Sequence, residues 1–226
     1  MGMVILVGYD TQTADRAPVR FGVMTARRSG APLVVGSVHA GRSVGSGEPL
    51  DDLRRDLQAE DVRAACRPLP GVSTPTALHD AAQSFGAGLL VVGSTTRGQV
   101  SQAVGGSTAE RLLHGAPCPV AVVPFGWEER HMEAELRVVW VDADADAGEQ
   151  DAADSLIALS REVDLLVCGT GGPELHRAVL VGRVARQVMS AAHCPVIVVA
   201  QGDYPRLEAL LGTMPTTRVP LPTPEP

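Results

Sequence analysis

Residues 89–98 have the sequence LLVVGSTTRG, and residues 105–110 have the sequence GGSTAE. The first run is apolar without polar alternation, which predicts a strand buried on both faces of a sheet. A loop rich in glycine, serine and threonine follows, and apolar side chains recur at helical spacing over residues 109–113. Ser107 and Glu110 fit a capping box at the start of that helix. A strand that feeds a glycine-rich loop into a helix N-terminus leaves backbone N–H groups available to a phosphate.

Apolar runs and helical patterns alternate along the first 125 residues. Besides the strand at 89–93, they predict strands at 3–8, 32–40, 62–67 and 120–124, and helices from near Asp15 to Gly30, at 50–61, at 76–85 and at 107–114. Five strands that alternate with four helices predict an α/β fold with a parallel sheet and right-handed crossovers. Asp10 follows the first strand, so we expect it in the crevice where open α/β sheets bind ligands.

The composition limits the chemistry that the chain can perform. The formal net charge of the 226 residues is −7 with scattered basic side chains, which argues against binding to nucleic acid or to an anionic membrane. All 19 basic residues are arginine, which excludes a P-loop lysine and a Schiff-base lysine. The four cysteines form no C-x-x-C motif, and no apolar run is long enough to span a membrane. We therefore expect a cytoplasmic protein with buried free thiols.

The second half of the chain repeats part of the first half. Residues 62–124 fall on residues 138–200 without a gap, and this shift places Gly93 on Gly169. We interpret residues 1–125 as a complete domain, residues 136–201 as a truncated and degenerate repeat of 62–124, and the Pro/Thr-rich residues 212–226 as a disordered tail. A β-α-β-α-β unit is too small to bury both faces of its sheet alone. The repeat must therefore pack against the first domain or against a partner chain.

The spacing of the glycine-rich loop resembles a known signature. Gly93-x2-Thr96-x9-Gly106-Ser107 is similar to the G-x2-G-x9-G-(S/T) motif of the universal stress protein family, and Pro117-Cys118-Pro119-Val120 resembles the start of that family's last strand. The resemblance implies a doubly wound α/β fold with five parallel strands in the order 3-2-1-4-5. It also implies dimers that pair through the last strands and, in one subset of the family, ATP bound at this loop. The chain departs from the motif at Thr96, where the family has its second glycine.

The resemblance also implies a set of nucleotide-binding residues. The ligand would be ATP, with Mg²⁺ on its phosphates. Gly106, Ser107 and Thr108 would hold the phosphates, Thr96, Arg97 and Gly98 would lie along the ribose and phosphates, and Asp10 and Ala40 would contact adenine. Gly93 belongs to the binding set as the first glycine of the motif. The alternatives left open are that Ser107 only caps its helix, that Arg97 is a solvated loop side chain, and that Asp10 caps the first helix.

Other patterns in the chain indicate structure rather than chemistry. In the repeat, Arg183 takes the place of Ser107, and because an arginine opposes the dipole at a helix N-terminus, we interpret this second site as non-binding. Residues 41–45 fit G-x-S-x-G, but the helix that a nucleophile elbow needs does not follow. Residues 142–148 resemble a calcium loop whose glycine comes one place late. We predict no metal site and no catalytic residue.

These observations lead to one function and one alternative. The resemblance predicts an adenine-nucleotide-binding regulatory or sensor protein of the stress response, with at most slow ATP hydrolysis because no positioned base is predicted. The protein would form a homodimer, or an intrachain pseudo-dimer, through the last strands at 120–124 and 196–200. The alternative is an interaction scaffold of the same fold that binds no nucleotide because the Cβ of Thr96 blocks the loop.

Overall fold

A computed structural model of the chain describes residues 3–40, 48–94, 108–129, 136–142, 149–170, 183–200, 203–212 and 216–218. The strands of the first half are β1 (Val4–Gly8), β2 (Leu33–Ala40), β3 (Ala64–Gly71), β4 (Ala87–Gly93) and β5 (Val120–Val123). The helices between them are α1 (Ala17–Ser29), α2 (Glu48–Gln58), α3 (Thr74–Phe85) and α4 (Thr108–Leu113). This alternation agrees with the α/β fold predicted from the sequence.

The second half continues with β6 (Val138–Asp142), α5 (Glu149–Leu159), β7 (Leu165–Thr170), α6 (Arg183–Ala191) and β8 (Val196–Ala200). Helix α7 (Tyr204–Leu211) and strand β9 (Thr216–Arg218) follow, and the sequence patterns predict neither. The predicted disorder of residues 212–226 does not hold for β9, which pairs in parallel with β6. Its two threonines are β-branched, which favours a strand, and the neighbouring strand supplies backbone partners. Residues 213–215 and 219–226 lie outside the described residues.

The described strands form one sheet in the order β3-β2-β1-β4-β5-β8-β7-β6-β9. The order 3-2-1-4-5 predicted for the first five strands is confirmed. Neighbouring strands are parallel except for β5 and β8, which are antiparallel, with Ala121 opposite Ile197. These are the two strands for which pairing was expected. Their hydrogen bonds join the two halves of one chain into a single sheet.

The central strands are apolar throughout because helices cover both faces of the sheet. In β4, Leu90 and Val92 belong to a core cluster with apolar side chains of α3, α4, α5 and α6. Leu89 and Val91 point to the opposite face and belong to a cluster with side chains of α1, α2 and α7. Both clusters continue from the first half of the chain into the second. The unbroken hydrophobic run at 89–92 thus reflects burial on two faces.

Strand β3 extends four residues beyond its predicted end at residue 67. Pro68 and Pro70 suggest a break in the pattern, yet they align with Ser37 and His39 of β2. Because β3 is the outermost strand on its side of the sheet, a proline there can turn its missing N–H away from the neighbouring strand. Prolines at such an edge also discourage pairing with another chain.

The ends of α1 show how local sequence fixes the helices. Pro18 lies in the first turn, where its missing N–H has no intrahelical partner to lose. Gly30 ends the helix in the left-handed region at φ 68°, and its N–H donates to the carbonyl oxygen of Ala26 at 2.8 Å.

None of the described helices combines the length and the apolar character that crossing a bilayer requires.

Candidate functional site

A pocket of about 410 Å³ opens at the edge of the sheet where β1 and β4 end. The strand order reverses between these two strands, so the connections that follow them diverge and leave a crevice. The pocket falls within the range of about 300–1,000 Å³ that is usual for small-molecule sites. The residues that line it are 8–13, 15, 18, 36–38, 74, 78, 92–94, 109 and 125.

Asp10 lies at the mouth of this pocket, in a hydrogen-bonded turn that follows β1. Its Oδ1 atom accepts the N–H of Gln12 at 2.9 Å, and its carbonyl oxygen accepts the N–H of Ala14 at 3.1 Å. Ala14 has φ 50°, a left-handed conformation that disfavours residues other than glycine, asparagine and aspartate. The turn therefore keeps an exposed carboxylate at the pocket edge at some cost in backbone strain.

Asp15 supplies the side-chain acceptor at the start of α1, a role that the sequence analysis considered for Asp10. The Oδ1 atom of Asp15 accepts the N–H of Ala17 at 3.1 Å, and both carboxylate oxygens accept the N–H of Gly126, at 3.3 and 3.4 Å. The carboxylate thus joins the first turn of α1 to the segment that follows β5. The Asp10 carboxylate instead accepts an N–H within the turn after β1 and lines the pocket.

Tyr9 forms part of the pocket wall and is 6% exposed. Its N–H donates to the carbonyl oxygen of Gly36 at 2.8 Å, and the guanidinium of Arg16 lies 5.9 Å from the centre of its ring. Burial raises the pKa of the Tyr9 hydroxyl above its ordinary value, and the positive charge of Arg16 offsets part of that rise. The hydroxyl therefore stays protonated at neutral pH and can donate a hydrogen bond.

Two glycines in the pocket lining leave room for apolar side chains that pack against the sheet. A Cβ atom at Gly36 would lie 2.4 Å from the Leu69 Cδ1 atom, and a Cβ atom at Gly93 would lie 3.0 Å from the Pro18 Cγ atom. At both positions the space of a side chain is already taken by an apolar neighbour. The two glycines therefore let Leu69 and Pro18 pack directly against the main chain of β2 and β4.

Helix α4 borders the pocket from the opposite side to Asp10. Thr108 is its first residue, and Ala109 lines the pocket. The carbonyl oxygen of Leu112 accepts a hydrogen bond of 2.7 Å from His79 Nε2 of α3, which fixes the helix against its neighbour. Ala109 brings the first turn of α4 to the pocket, and the N–H groups of that turn lie at the positive end of the helix dipole.

The structure brings together some of the predicted site residues. Asp10 and Gly93 line the pocket, Thr108 begins the helix that borders it, and Ala40 ends β2, whose residues 36–38 line it. The other predicted residues, Thr96, Arg97, Gly98, Gly106 and Ser107, lie outside the described residues. The G-x-S-x-G stretch at 41–45 and residues 143–148 of the calcium-like stretch also lie outside the described residues.

Of the residues that line the pocket, only Asp10 and Gly93 were predicted from the sequence as site residues; those that were missed include Tyr9, Asp15, Thr74, Ser94 and Phe125. A signal existed for Tyr9, because a polar residue directly after a buried strand lies at the strand end where open α/β sheets bind ligands. No local signal marks Phe125. It reaches the pocket only because β5 ends beside β4.

The four cysteines, at positions 66, 118, 168 and 194, are buried and free, as predicted. Burial raises the pKa of both Cys118 and Cys168 to about 12, so these thiols are unreactive at neutral pH. Among the residues that the structure describes, no three histidine, cysteine, aspartate or glutamate side chains cluster in a way that could hold a metal ion.

Two comparisons by sequence, with family models and with individual proteins, point to the same family. A model of the universal stress protein family matches residues 70–124 and 128–200, which together exceed half of the chain. A universal stress protein from Mycolicibacterium smegmatis (strain ATCC 700084 / mc(2)155) is 37% identical over 131 residues. The match covers 55% of this chain and 100% of that protein.

Solved structures with a similar fold cover a larger share of this chain than the sequence relative does. A functionally unknown protein from Pseudomonas aeruginosa PAO1 is similar with a TM-score of 0.66 at 15% identity, covering 93% of this chain and 97% of that one. A universal stress protein from Archaeoglobus fulgidus DSM 4304 is similar with a TM-score of 0.55 at 13% identity, covering 88% of this chain and 98% of that one. At these identities the likeness concerns the fold.

Proposed function

Because the chain belongs to the universal stress protein family, we propose that it binds an adenine nucleotide in the pocket between the ends of β1 and β4. The observation that supports this most is the position of the pocket, at the reversal of strand order, with Asp10 and Gly93 both in its lining. Its volume of about 410 Å³ suits a nucleoside.

The charges around the pocket favour one orientation of the ligand. The carboxylates of Asp10 and Asp15 lie on the side of β1 and α1, where they repel phosphates. The exposed carboxylate of Asp10 can accept hydrogen bonds from amino and hydroxyl groups, whereas that of Asp15 already accepts the N–H groups of Ala17 and Gly126. The first turn of α4 lies on the other side and offers N–H groups that suit an anion. We therefore propose adenosine near Asp10 and phosphates toward Thr108. The further contacts belong to the residues implied by the motif, which are Ala40, Gly93, Thr96, Arg97, Gly98, Gly106 and Ser107.

The proposed ligand is ATP, with Mg²⁺ on its phosphates, and hydrolysis is slow at most. Among the described residues that line the pocket, Asp10 and Asp15 are the carboxylates, and each already accepts a backbone N–H. Neither is arranged as a base that would activate a water molecule at the phosphate end of the pocket. The protein would then act by binding, as a regulatory or sensor protein of the cytoplasm.

The second half of the chain is proposed to be a degenerate copy that binds no ligand. Its element order, from β6 to β8, matches that of β3 to β5, and Arg183 begins the helix that corresponds to α4. Since β5 lies between β4 and β8, both of its edges are occupied within one chain. We propose that this internal pairing replaces a homodimer through the last strands.

Isothermal titration calorimetry of the full chain tests the binding proposal. ATP, AMP and GTP are titrated with and without Mg²⁺ into the wild type, into Asp10→Asn and into Asp61→Asn. Asparagine at position 10 can keep the bond to the Gln12 amide but has no charge, so we expect adenine-nucleotide affinity to fall by about 5- to 10-fold. Asp61 is an exposed aspartate that precedes β3 at the opposite edge of the sheet, and its variant should bind as the wild type does.

The outcomes separate the two hypotheses for this protein. Absence of heat with every nucleotide at millimolar concentration would reject nucleotide binding and favour the interaction scaffold. Equal affinity of the wild type and Asp10→Asn would leave binding in place and remove Asp10 from the contacts with the ligand.

A further inference from the structure

The segment Pro124–Glu129, here called the connector, leads from β5 toward the second half of the chain and begins in the pocket wall. Phe125 lines the pocket, and its N–H donates to Ser94 Oγ at 3.1 Å. The next N–H, that of Gly126, donates to the two carboxylate oxygens of Asp15 at 3.3 and 3.4 Å. Two successive amides of the connector are therefore held by side chains that themselves line the pocket.

Beyond Gly126 the connector follows α1 away from the pocket. The ring of Trp127 packs edge-on against Phe21, with ring centres 5.8 Å apart and an interplanar angle of 74°. Glu128 pairs with Arg20 at 3.1 Å on the exposed surface. The connector is thus fixed at its pocket end by hydrogen bonds and in its middle by an aromatic contact.

We infer that Asp15 is a positioning residue that couples ligand binding in the pocket to the connector. A ligand that fills the pocket contacts the wall formed by Phe125 and restricts the first residues of the connector. Asp15 holds those residues in place before the ligand arrives, so its loss weakens binding. The coupling is reciprocal. Holding the connector in place raises the affinity for the ligand by the same factor by which bound ligand shifts the connector toward that position. This inference rests on the proposed nucleotide binding.

The two roles of Asp15 can be separated by one substitution. Its carboxylate accepts the Ala17 amide at the start of α1 and the Gly126 amide of the connector. Asp15 precedes Arg16, the N-cap residue, and its bond to Ala17 two residues on is that of an Asx turn, which a serine hydroxyl can also form; the serine side chain is, however, one bond shorter. We expect Asp15→Ser to keep an acceptor at the start of α1 and to lose the bond to Gly126.

Hydrogen exchange of the wild type with and without Mg-ATP gives the first measurement. We expect ligand to slow exchange of the amides of residues 125–127 several-fold and to leave those of α2 unchanged. The Gly126 amide is the direct reporter because it donates to Asp15. This measurement needs no substitution, so it holds even where a variant folds poorly.

Calorimetry of the variants gives the second measurement. We expect Asp15→Ser to weaken Mg-ATP binding about tenfold, the effect of one hydrogen bond to a charged acceptor, and to abolish the ligand-dependent protection at Gly126. Arg20→Ala removes an exposed ion pair on the same connector and should bind as the wild type does. Ser94→Ala removes the acceptor of the Phe125 amide and should act in the same direction as Asp15→Ser.

The results distinguish this inference from the proposed function. A wild type that binds Mg-ATP without any change of exchange in the connector, together with unchanged affinity in Asp15→Ser, overturns the coupling and leaves nucleotide binding intact. A wild type that gives no heat with any adenine nucleotide overturns both.

Discussion

Replacement of Leu207 by alanine should destabilise the protein while leaving the pocket intact. Leu207, Leu210 and Leu211 of α7 are 0%, 1% and 3% exposed, and they belong to the core cluster of α1 and α2. The helix approaches the sheet closely, since a Cβ atom at Gly88 of β4 would lie 3.1 Å from the Leu210 Cδ1 atom. A cavity left by a truncated side chain can therefore collapse only in part.

The magnitude follows from the complete burial of the Leu207 side chain. Truncation of a buried leucine to alanine lowers the free energy of unfolding by about 2–5 kcal/mol, and we expect about 3 kcal/mol here. For a chain of this length each kcal/mol lowers the melting temperature by about 2–4 °C, so the shift should be about 6–12 °C. Glu208, the next residue along the same helix, is exposed, and Glu208→Ala should stay within about 0.5 kcal/mol of the wild type.

Urea unfolding followed by circular dichroism, with calorimetric melting, measures both variants beside the wild type. Nucleotide affinity, measured well below the melting temperature, should be the same in all three proteins. Unfolding of Leu207→Ala and Glu208→Ala at the same urea concentration would refute the core role of α7. A loss of affinity without a loss of stability in Leu207→Ala would also refute it.

Three further predictions concern glycines and thiols. Gly36→Ala should lower the free energy of unfolding by about 1–3 kcal/mol in a urea titration, because its Cβ would lie 2.4 Å from a Leu69 methyl group, and an unchanged midpoint would contradict this. Gly126 has φ 68° and open space around it, so Gly126→Ala should cost about 1 kcal/mol from backbone strain alone, measured as a melting shift of about 2–4 °C. Burial raises the pKa of Cys118 and Cys168 to about 12, so these thiols ionise at a lower pH in the unfolded chain than in the folded chain. The free energy of unfolding should therefore fall as the pH rises above about 9. The fall is at most about 1.4 kcal/mol per pH unit for each thiol, and urea midpoints that stay level from pH 8 to pH 10.5 would argue against it.

The fold could be predicted from the sequence where the pattern is local and repeated. The run at 89–92 has no polar residue, and only a strand covered on both faces explains it. The strand order came from the resemblance of the loop motif to a family, because periodicity alone does not specify which strands are neighbours. The end of β3 was missed because Pro68 and Pro70 are read as breakers unless the strand is known to lie at an edge.

Helix α7 was missed although its sequence contains a signal. Pro205 lies in its first turn, leucines recur at 207, 210 and 211, and Gly212 follows its last residue. Eight residues are too few for a helix to be stable in isolation, so such a pattern becomes informative only when a core is available to bury it. That core is the sheet face between β4 and β8, which no local feature of residues 203–212 reveals.

The candidate site was predictable only at its strand ends. Asp10 and Gly93 follow or end buried strands, and that position is sufficient to bring them to the crevice of an α/β sheet. Asp15 and Gly126 meet across 111 residues of sequence, and their contact depends on the pairing of β4 with β5. A hydrogen bond between distant backbone and side-chain groups has no periodicity by which it could be recognised.

The antiparallel pairing of β5 with β8 determines how the second half of the chain can influence the pocket. Because β8 runs opposite to β5, the strands parallel to β8 end at the edge of the sheet away from the ends of β1 and β4. The strand ends of the second half, at Asp142, Thr170 and Ala200, therefore cannot contribute to the pocket. Within the described part of the chain, the connector is the segment that both lines the pocket and leads toward that half. If a signal passes between the two halves, the pocket end of the connector at Asp15 is the place where it would be received.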